Sequence, residues 1–178
     1  MSEPAPVYLF DKNVVRRIVV GMVKVQTDKR LTQEEDDALA LLREARKRSL
    51  HLFIAPEAFN LLRRFTGRAE VDLFLEIAEV MQAGRYFKRW ARRLRGYGFT
   101  PEDAKVLSLG TFGTREAGDI LGVDAIITFD QLFINNYEVR IDALQERLRA
   151  MTVNLLPPFC SVVLPVLMQP TEALSLFR

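Results

Sequence analysis

The stretch VYLFDKN, residues 7–13, places a four-residue apolar run directly before an acid, Asp11. Short apolar runs bounded by polar residues are typical of strands that are buried on both faces of a parallel sheet. Three more acids lie where a strand or a loop gives way to a helix: Glu57 in LFIAPEAF, Asp103 in GFTPEDAKV and Asp130 in AIITFDQLF. We therefore read the chain as strands that alternate with helices, with an acid at each junction.

This alternation predicts an α/β fold of three layers (α/β/α), with a mostly parallel central sheet of four to five strands. Strands are predicted at 7–10, 52–54, 124–128 and 153–156, with one more around 162–164. Helices are predicted at 13–22, from Thr32 onwards, from Pro56 to near Gly67, and at 71–81, 87–94 and 137–151, with others starting at Thr100 and Asp130. Residues 23–31 are expected to form a loop. We expect a single domain over residues 1–178, with an enlarged helical block at about 71–98.

Composition excludes several classes of protein. The chain has 178 residues, of which 49% are hydrophobic and 27% charged, as in a folded globular protein. One histidine, His51, and one cysteine, Cys160, leave no disulfide framework, no zinc site rich in these residues and no plausible Ser-His pair. Cys160 lies in the apolar run PPFCSVV, so we expect it to be buried as a small hydrophobic residue.

No targeting signal is recognisable, because MSEPAPVY lacks the charged-then-apolar order of a secretory leader. The apolar stretch 155–168 is too short to span a membrane and is interrupted by prolines. A cytoplasmic protein without membrane contact is expected. The net charge of +2 is too small for a generally basic nucleic-acid-binding chain.

The four acids have two interpretations. Asp11 and Asp130 suit helix caps, while Glu57 and Asp103 suit the first turn, where the helix dipole favours an acid by about 0.3–1 kcal/mol. Alternatively, all four converge at the carboxyl edge of the sheet, where ligands of α/β proteins bind. Converging carboxylates repel one another unless a cation neutralises them, and Mg²⁺ prefers oxygen ligands of this kind.

The order of these motifs resembles the PIN-domain nucleases from Val7 to about Leu156. The resemblance rests on Asp11 and Asn13 after the first strand, Glu57, Asp103, and Thr128-Phe129-Asp130 with Phe133. It implies a PIN-like fold and a Mg²⁺- or Mn²⁺-dependent endonuclease that cuts single-stranded RNA. It also implies a homodimer and, as in many bacterial members, a toxin partnered by an antitoxin protein.

The resemblance further assigns roles to individual residues. Asp11 and Asp130 match the central metal ligands, with Asp103 as a further ligand, and Glu57 completes the set of four catalytic acids. Asn13 and Thr128 match residues that orient these acids through hydrogen bonds. The chain departs from the family at Lys12 and in the long interval between Asp103 and Asp130, which contains GTFGTREAGDILG. The third acid is therefore left open between Asp103, Glu102 and Asp119, in that order.

A basic segment precedes the third acid. Between Glu79 and Glu102 the chain has six cations and no acid. Four of the cations repeat at helical spacing opposite an apolar stripe: Arg85, Lys88, Arg89 and Arg92. This face is either a solvated helix surface or a binding site for RNA phosphates, with an acidic segment of an antitoxin as the rival anion.

Two further interpretations stay open at this point. Lys12 and the long third motif favour a catalytically degenerate domain that binds RNA or a protein without cleavage. The same acids also suit the phosphoryl-accepting pocket of a doubly wound signalling domain, although no well-placed lysine near the last strand supports that.

Overall fold

The fold is seen in a computed structural model that describes residues 5–64 and 69–177. Its centre is a five-stranded sheet in which every neighbouring pair of strands is parallel. From one edge to the other, its strands are β3 (Ala78–Val80), β2 (His51–Ile54), β1 (Val7–Phe10), β6 (Ala125–Ile127) and β7 (Val166–Met168). A separate antiparallel pair consists of β4 (Gln82–Ala83) and β5 (Gly113–Thr114).

Helices connect the strands and cover both faces of the sheet. They are α1 (Lys12–Gln26), α2 (Gln33–Lys47), α3 (Pro56–Arg63), α4 (Ala69–Ile77), α5 (Phe87–Gly96), α6 (Pro101–Phe112), α7 (Gln131–Thr152) and α8 (Pro170–Leu176). The capping box predicted at Thr32 and Glu35 is present. Thr100 caps α6, and Pro101 takes its first position, also as predicted.

Alternate residues of each central strand enter opposite cores, which makes the three layers. In β1, Tyr8 and Phe10 pack with α1, α2 and α8, whereas Leu9 packs on the opposite side with α5, α6 and α7. In β6, Ile127 enters the same core as Tyr8 and Phe10, and Ile126 enters the same core as Leu9. Strands buried on both faces are expected to read as continuous apolar runs, as VYLF and AII do. The predicted three-layer α/β fold is confirmed.

The strand order creates a switch point between β1 and β6. The chain runs outward from β1 to β2 and β3, and then crosses back to place β6 and β7 on the other side of β1. Loops leaving neighbouring strands in opposite directions open a crevice at their carboxyl ends, and ligands bind there in open α/β sheets.

The prediction of one helix over 71–81 is wrong at its end. Helix α4 stops at Ile77, and the next three residues form β3 by pairing with Leu52–Ile54 of β2. The apolar residues here have helical spacing, but hydrogen bonding to the free edge of β2 outweighs this local preference. Helix α3 ends at Arg63, and the predicted stop at Gly67 lies outside the described residues.

Two helices are longer than predicted. Helix α1 continues to Gln26, which shortens the loop expected at 23–31. The short helix expected at Asp130 and the helix expected at 137–151 are one helix, α7. Buried Ile134 and Tyr137 hold its first two turns against the core, which outweighs the turn preference of Asn135 and Asn136.

The C-terminal predictions need three corrections. Residues 153–156 form a turn rather than a strand, and Val153 and Leu156 are 62% and 81% exposed. The strand expected around 162–164 lies at Val166–Met168, because Pro165 has no N–H to donate to a neighbouring strand. Cys160 is exposed, not buried, since Phe159 of the same turn takes the inward position against the ring of Tyr86. Helix α8 was not predicted.

Candidate active site

Asp11 and Thr128 are the first residues beyond β1 and β6, at the switch point of the sheet. The backbone N–H of Asp11 donates to the carbonyl of Ile127 over 3.0 Å, so the two chains stay paired just past the end of β1. The side chains of Asp11 and Thr128 are thereby placed side by side. We call this region, with Asp103 and Asp130, the acidic corner.

Thr128 is the centre of a hydrogen-bond network in the acidic corner. Its side chain is completely buried, and its hydroxyl donates to Oδ2 of Asp11 over 2.8 Å. The same hydroxyl accepts from Nδ2 of Asn13 at 2.9 Å and from the backbone N–H of Asp130 at 3.1 Å. One donated and two accepted bonds are the full capacity of a hydroxyl group. Thr128 therefore fixes three neighbours at once.

Asn13 closes the network. Its Nδ2 also donates to Oδ2 of Asp11 at 3.0 Å, and its Oδ1 accepts from the backbone N–H of Phe129 at 3.2 Å. Oδ1 of Asp11 accepts from the backbone N–H of Lys12 at 2.6 Å. Asn13 and Thr128 thus make the contacts that their predicted orienting roles require, and the Asp11 carboxylate is held in one orientation.

Asp130 and Asp103 come to the acidic corner from the starts of two helices. Asp130 caps α7, since its Oδ1 accepts from the backbone N–H of Phe133 at 3.0 Å. Asp103 lies in the first turn of α6, where its own N–H donates to Oγ1 of Thr100 at 3.1 Å. Both acids are therefore true helix-start residues. This local role does not compete with a ligand role, because it leaves carboxylate oxygens unused.

The charges of neighbouring carboxylates disfavour ionisation of Asp11 and Asp103. Burial raises the pKa of the Asp11 carboxyl, and the nearby charges of Asp103 and Asp130 raise it further, against the lowering effect of the hydrogen bond from Thr128. Burial is also the largest cause that raises the pKa of Asp103, to which Asp130 and Glu102 add. The ionisation of Asp11 is therefore coupled to the charges of Asp103 and Asp130.

Glu57 occupies the flank of the acidic corner. It lines a small cavity of about 80 Å³ together with Asp11, Glu102 and two lysines, Lys12 and Lys105. Nζ of Lys105 lies 3.8 Å from Oε1 of Glu57, and both side chains are more than half exposed. An exposed pair of this kind contributes at most about 1 kcal/mol. Lys12 is exposed, so it does not fill the centre of the acidic corner.

The structure separates the three candidates for the third acid. Asp103 shares the field of Asp11 and Asp130, and Glu102 lines the small cavity next to them. Asp119 is instead paired with Arg115, at 3.5 Å, and Arg115 also binds Glu79 through two hydrogen bonds. The long third motif folds against β4 through β5, which takes Asp119 with it. Asp103 therefore has the best position.

The donor set of the acidic corner suits a hard divalent cation. Carboxylate, amide and hydroxyl oxygens are the ligands that Mg²⁺ and Mn²⁺ prefer. Within the described ranges, no three His, Cys, Asp or Glu side chains are already grouped at the spacing of a finished metal site. Direct binding would thus need Asp103 and Asp130 to move toward Asp11, and indirect binding would need waters between them and the metal. Mg²⁺ commonly keeps several waters.

Three cations of the predicted basic face lie on α5, where Trp90 is fully buried on the opposite side, whereas Arg85 precedes the helix. Lys88, Arg89 and Arg92 line an open groove of about 950 Å³. Its other lining residues are Arg93, Gly96, Tyr97 and, from α7, Arg147. Arg85 does not line this groove; its guanidinium stands 5.3 Å from the centre of the Tyr86 ring. We call this feature the basic groove.

Sequence reasoning missed Lys105 and Arg147. Lys105 lies three residues after Glu102 on α6, so helical spacing could have placed it beside the acids. Arg147 is one of several charged residues on α7, and only the fold brings it opposite α5. No local signal in the sequence distinguishes it.

Comparisons with family models, with curated proteins and with solved structures find no match to this chain. Among the described residues, no helix is both long enough and apolar enough to cross a membrane. The resemblance to PIN-domain nucleases therefore rests on the motif residues, which now have positions in the fold.

Proposed function

We propose that the chain is an endoribonuclease of the cytoplasm that uses Mg²⁺ or Mn²⁺ to hydrolyse phosphodiester bonds of single-stranded RNA. One observation carries this proposal: at the switch point, the buried Thr128 hydroxyl and Asn13 hold the Asp11 carboxylate, and the same hydroxyl binds the backbone N–H of Asp130. Structural helix-start acids do not need a buried network that fixes their orientation. A reactive site does, because misplaced groups lose activity steeply.

Asp11, Asp103 and Asp130 would hold the cation, with Glu57 at the flank. A bound divalent cation supplies a water of lowered pKa and neutralises charge on the reacting phosphate. Thr128 and Asn13 keep Asp11 in its orientation and leave its charge available. Lys105 and Lys12 stand at the edge of the same cavity, where their charges would attract a substrate phosphate.

The test is cleavage of a labelled single-stranded RNA by the purified protein with Mn²⁺, with Mg²⁺ and with a chelator. We expect cleavage only with metal, and a loss of about 10³-fold in Asp11→Asn and Asp130→Asn, which corresponds to roughly 4 kcal/mol of lost stabilisation. Asparagine still caps a helix, so these changes keep α1 and α7. Asp142→Asn, an exposed change on α7, is the matched control.

Two results would reject the proposal. One is cleavage that persists in the chelator. The other is full activity of both Asp11→Asn and Asp130→Asn, because a metal held by these carboxylates could not survive their loss.

A second candidate is a degenerate domain that binds RNA or a protein without cutting it. The observation that favours it is the presence of two cations, Lys12 and Lys105, in the small cavity beside Asp11. If lysines take the role of the metal, Mn²⁺ should not raise the melting temperature of the wild type. It should do so in a Lys12→Ala/Lys105→Ala variant. Metal stabilisation of the wild type would reject this candidate.

The family resemblance also implies a homodimer and an antitoxin partner, and both remain predictions. Sedimentation of the purified chain tests the first of them, and co-expression with the product of the adjacent gene tests the second.

A further inference from the structure

The basic groove lies between α5 and α7. Helix α7 begins directly after Asp130, and the turn that follows α5 leads to Asp103. We propose that this groove is the track on which the RNA strand to one side of the cut is held. The inference rests on the proposed function and adds to it a substrate path, a dependence on RNA length and a residue from a second helix, Arg147.

The charges of the groove call for a polyanion. Of the residues that the structure describes, no acid lines it and five cations do: Lys88, Arg89, Arg92, Arg93 and Arg147. Within residues 5–64 and 69–177, none of the five has an ion-pair partner. The arginine of the other charged network, Arg115, is by contrast paired with two acids. Unpaired cations on adjacent helix turns repel one another until anions lie between them.

The groove and the acidic corner are connected along two helices. Helix α5 ends at Gly96, and the turn after it leads within seven residues to Asp103. Helix α7 starts after Asp130, and Arg147 lies 17 residues further on, about 25 Å along the helix axis. The turn and α7 touch, since the rings of Phe99 and Phe133 are 6.1 Å apart. A strand leaving the acidic corner along α7 therefore enters the groove.

Arg140 fills the interval between the two ends of this path. A side-chain carbon at Gly98 would lie 3.6 Å from Nη2 of Arg140, so this guanidinium sits beside the turn that joins α5 to α6. From Asp130 along α7, the path thus meets a first cation at Arg140 and a second, two turns later, at Arg147. This succession suits the repeated phosphates of one strand.

The position of α5 is firmly fixed, which suits a preformed track. The hydroxyl of Ser108, a buried residue of α6, donates to the carbonyl of Phe87 at 2.7 Å. Trp90 and Leu94 are completely buried against the same core. Tyr97 offers an aromatic ring in the groove lining, on which a base of any identity can stack. The groove is lined by flexible cationic side chains and one aromatic ring. We therefore expect it to bind RNA without sequence preference.

The path has a measurable consequence for substrate length. RNA that ends at the cut site cannot reach Arg147, which lies about 25 Å along α7 from Asp130. We expect an oligonucleotide of about 16 residues, the upper site size of single-strand grooves, to bind much more tightly than a dinucleotide. The advantage should decline with salt, at about 0.7 in the logarithmic slope for each phosphate contact.

The experiment compares two double variants with equal loss of charge. Arg93→Ala/Arg147→Ala removes one cation from each wall of the groove, whereas Arg95→Ala/Arg149→Ala removes neighbours on the same helices that do not line it. Binding is measured with the 16-residue RNA in chelator and in the Asp11→Asn background, so that it does not depend on cleavage. We expect the first variant alone to lose about 1.4 in salt slope and most of the length advantage.

Gly96→Glu provides a second variant that cannot fail through packing. Gly96 lines the groove at the end of α5, and no atom of the described ranges lies within 4 Å of a carbon added there. A carboxylate there should weaken binding of the long RNA and leave that of the dinucleotide unchanged.

The outcomes separate the two proposals. Equal slopes and affinities for both double variants, or no effect of Gly96→Glu, would overturn the track and assign the groove to another anion, such as an acidic polypeptide. Groove-dependent binding without metal-dependent cleavage would support the track and reject the nuclease. If the groove variants cleave RNA of every length normally, the nuclease is supported and the track is rejected.

Discussion

The acidic corner and the basic groove carry opposite charges, and the fold treats them in opposite ways. In the acidic corner, the Asp11 carboxylate is held by three donors, from Thr128, Asn13 and the backbone of Lys12. In the basic groove, none of the cations has a hydrogen-bond or ion-pair partner in the described part of the chain; four of them are exposed and Arg147 is half-buried. In the corner, the Asp11 carboxylate is oriented before any ligand arrives, whereas the groove supplies charge and leaves its side chains free to adapt.

This difference matches two kinds of recognition. A small cation needs oxygens at defined positions, so rigidity of the ligands matters. A flexible polyanion needs charge over a long path, and fixed geometry would add little. Substitutions in the corner should therefore act through geometry and charge together, and substitutions in the groove through charge alone.

The largest effect on cleavage is expected at the third acid. If substitution there had no effect, the contrast between the acidic corner and the basic groove would not hold. Asp103→Asn should lower metal-dependent cleavage by about 10³-fold, since a direct ligand contributes several kcal/mol. Asp119→Asn should leave the activity unchanged, because Asp119 is bound to Arg115. Glu102→Gln should have an intermediate effect. If Asp119→Asn were the inactive variant, the position of the acidic corner would be wrong.

Metal binding should stabilise the folded chain. A cation present at a hundredfold excess over its dissociation constant raises the free energy of unfolding by about 2.7 kcal/mol. We expect this gain with Mn²⁺ in the wild type, and its loss in Asp11→Asn, in thermal unfolding followed by circular dichroism. The groove variant Arg93→Ala/Arg147→Ala should keep the full gain. A gain of equal size in Asp11→Asn would place the metal elsewhere.

The orienting hydroxyl can be removed without changing the size of the side chain. Thr128→Val should lower metal affinity or activity by about 10–100-fold, as is usual for residues that orient ligands. It should also destabilise the fold, because donors and acceptors on Asp11, Asn13 and Asp130 lose a buried partner. Thr128→Ser, which keeps the hydroxyl, should restore metal affinity. If the serine and valine variants bind Mn²⁺ equally, the network has no orienting role.

The pH dependence of stability provides a smaller effect of defined sign. The pKa values of Asp11 and Asp103 are raised by folding above the ordinary value of 3.8, so the folded chain binds more protons than the unfolded one in this range. Stability from these groups therefore declines as the pH rises through the raised pKa values.

Asp130→Asn removes one of the repelling charges and should increase metal-free stability near neutral pH. It should have no such effect at a pH well below 3.8, where the carboxyls of Asp11 and Asp103 are protonated in both the folded and the unfolded state. Urea unfolding at the two pH values measures this, with Asp142→Asn as control. A gain that is independent of pH would show that charge repulsion is not its cause.

The smallest predicted effect is a change in the free energy of unfolding caused by a substitution in the wall of the basic groove. Gly96→Ala should stabilise the chain by about 0.5–1 kcal/mol, because Gly96 is helical and open space surrounds it. RNA affinity should stay the same, since no charge changes. A change in affinity would indicate that the groove depends on backbone mobility as well as on charge.

The sequence was most informative where local pattern and burial agree. The runs VYLF, LFI and AII lie on both sides of the switch point, and their fully apolar character predicted the central strands and the positions of Asp11, Glu57 and Asp130. The caps at Thr32 and Thr100 depend on contacts within four residues, which a sequence displays directly.

The remainder depends on partners that are far away in the chain. Strand β3 exists because β2 offers a free edge, and strand β7 starts late because of Pro165. The meeting of Asp103 with Asp11 joins residues 92 positions apart, and that of Arg147 with α5 joins residues more than 50 positions apart. No periodicity encodes such distances, so the third acid stayed open between three residues until the fold was known.

The glycines of this chain mark which parts can diverge. Gly84 and Gly113 sit at the β4–β5 pair, where a methyl group would collide with the carbonyl oxygens of Phe112 and Leu109. Gly96 borders the groove, with open space around it. Natural variants should thus be forbidden at the first two positions and freely accepted at the third. Homologues could acquire new ligand preferences by single exchanges at position 96. The β4–β5 pair, which holds the long third motif, should stay invariant.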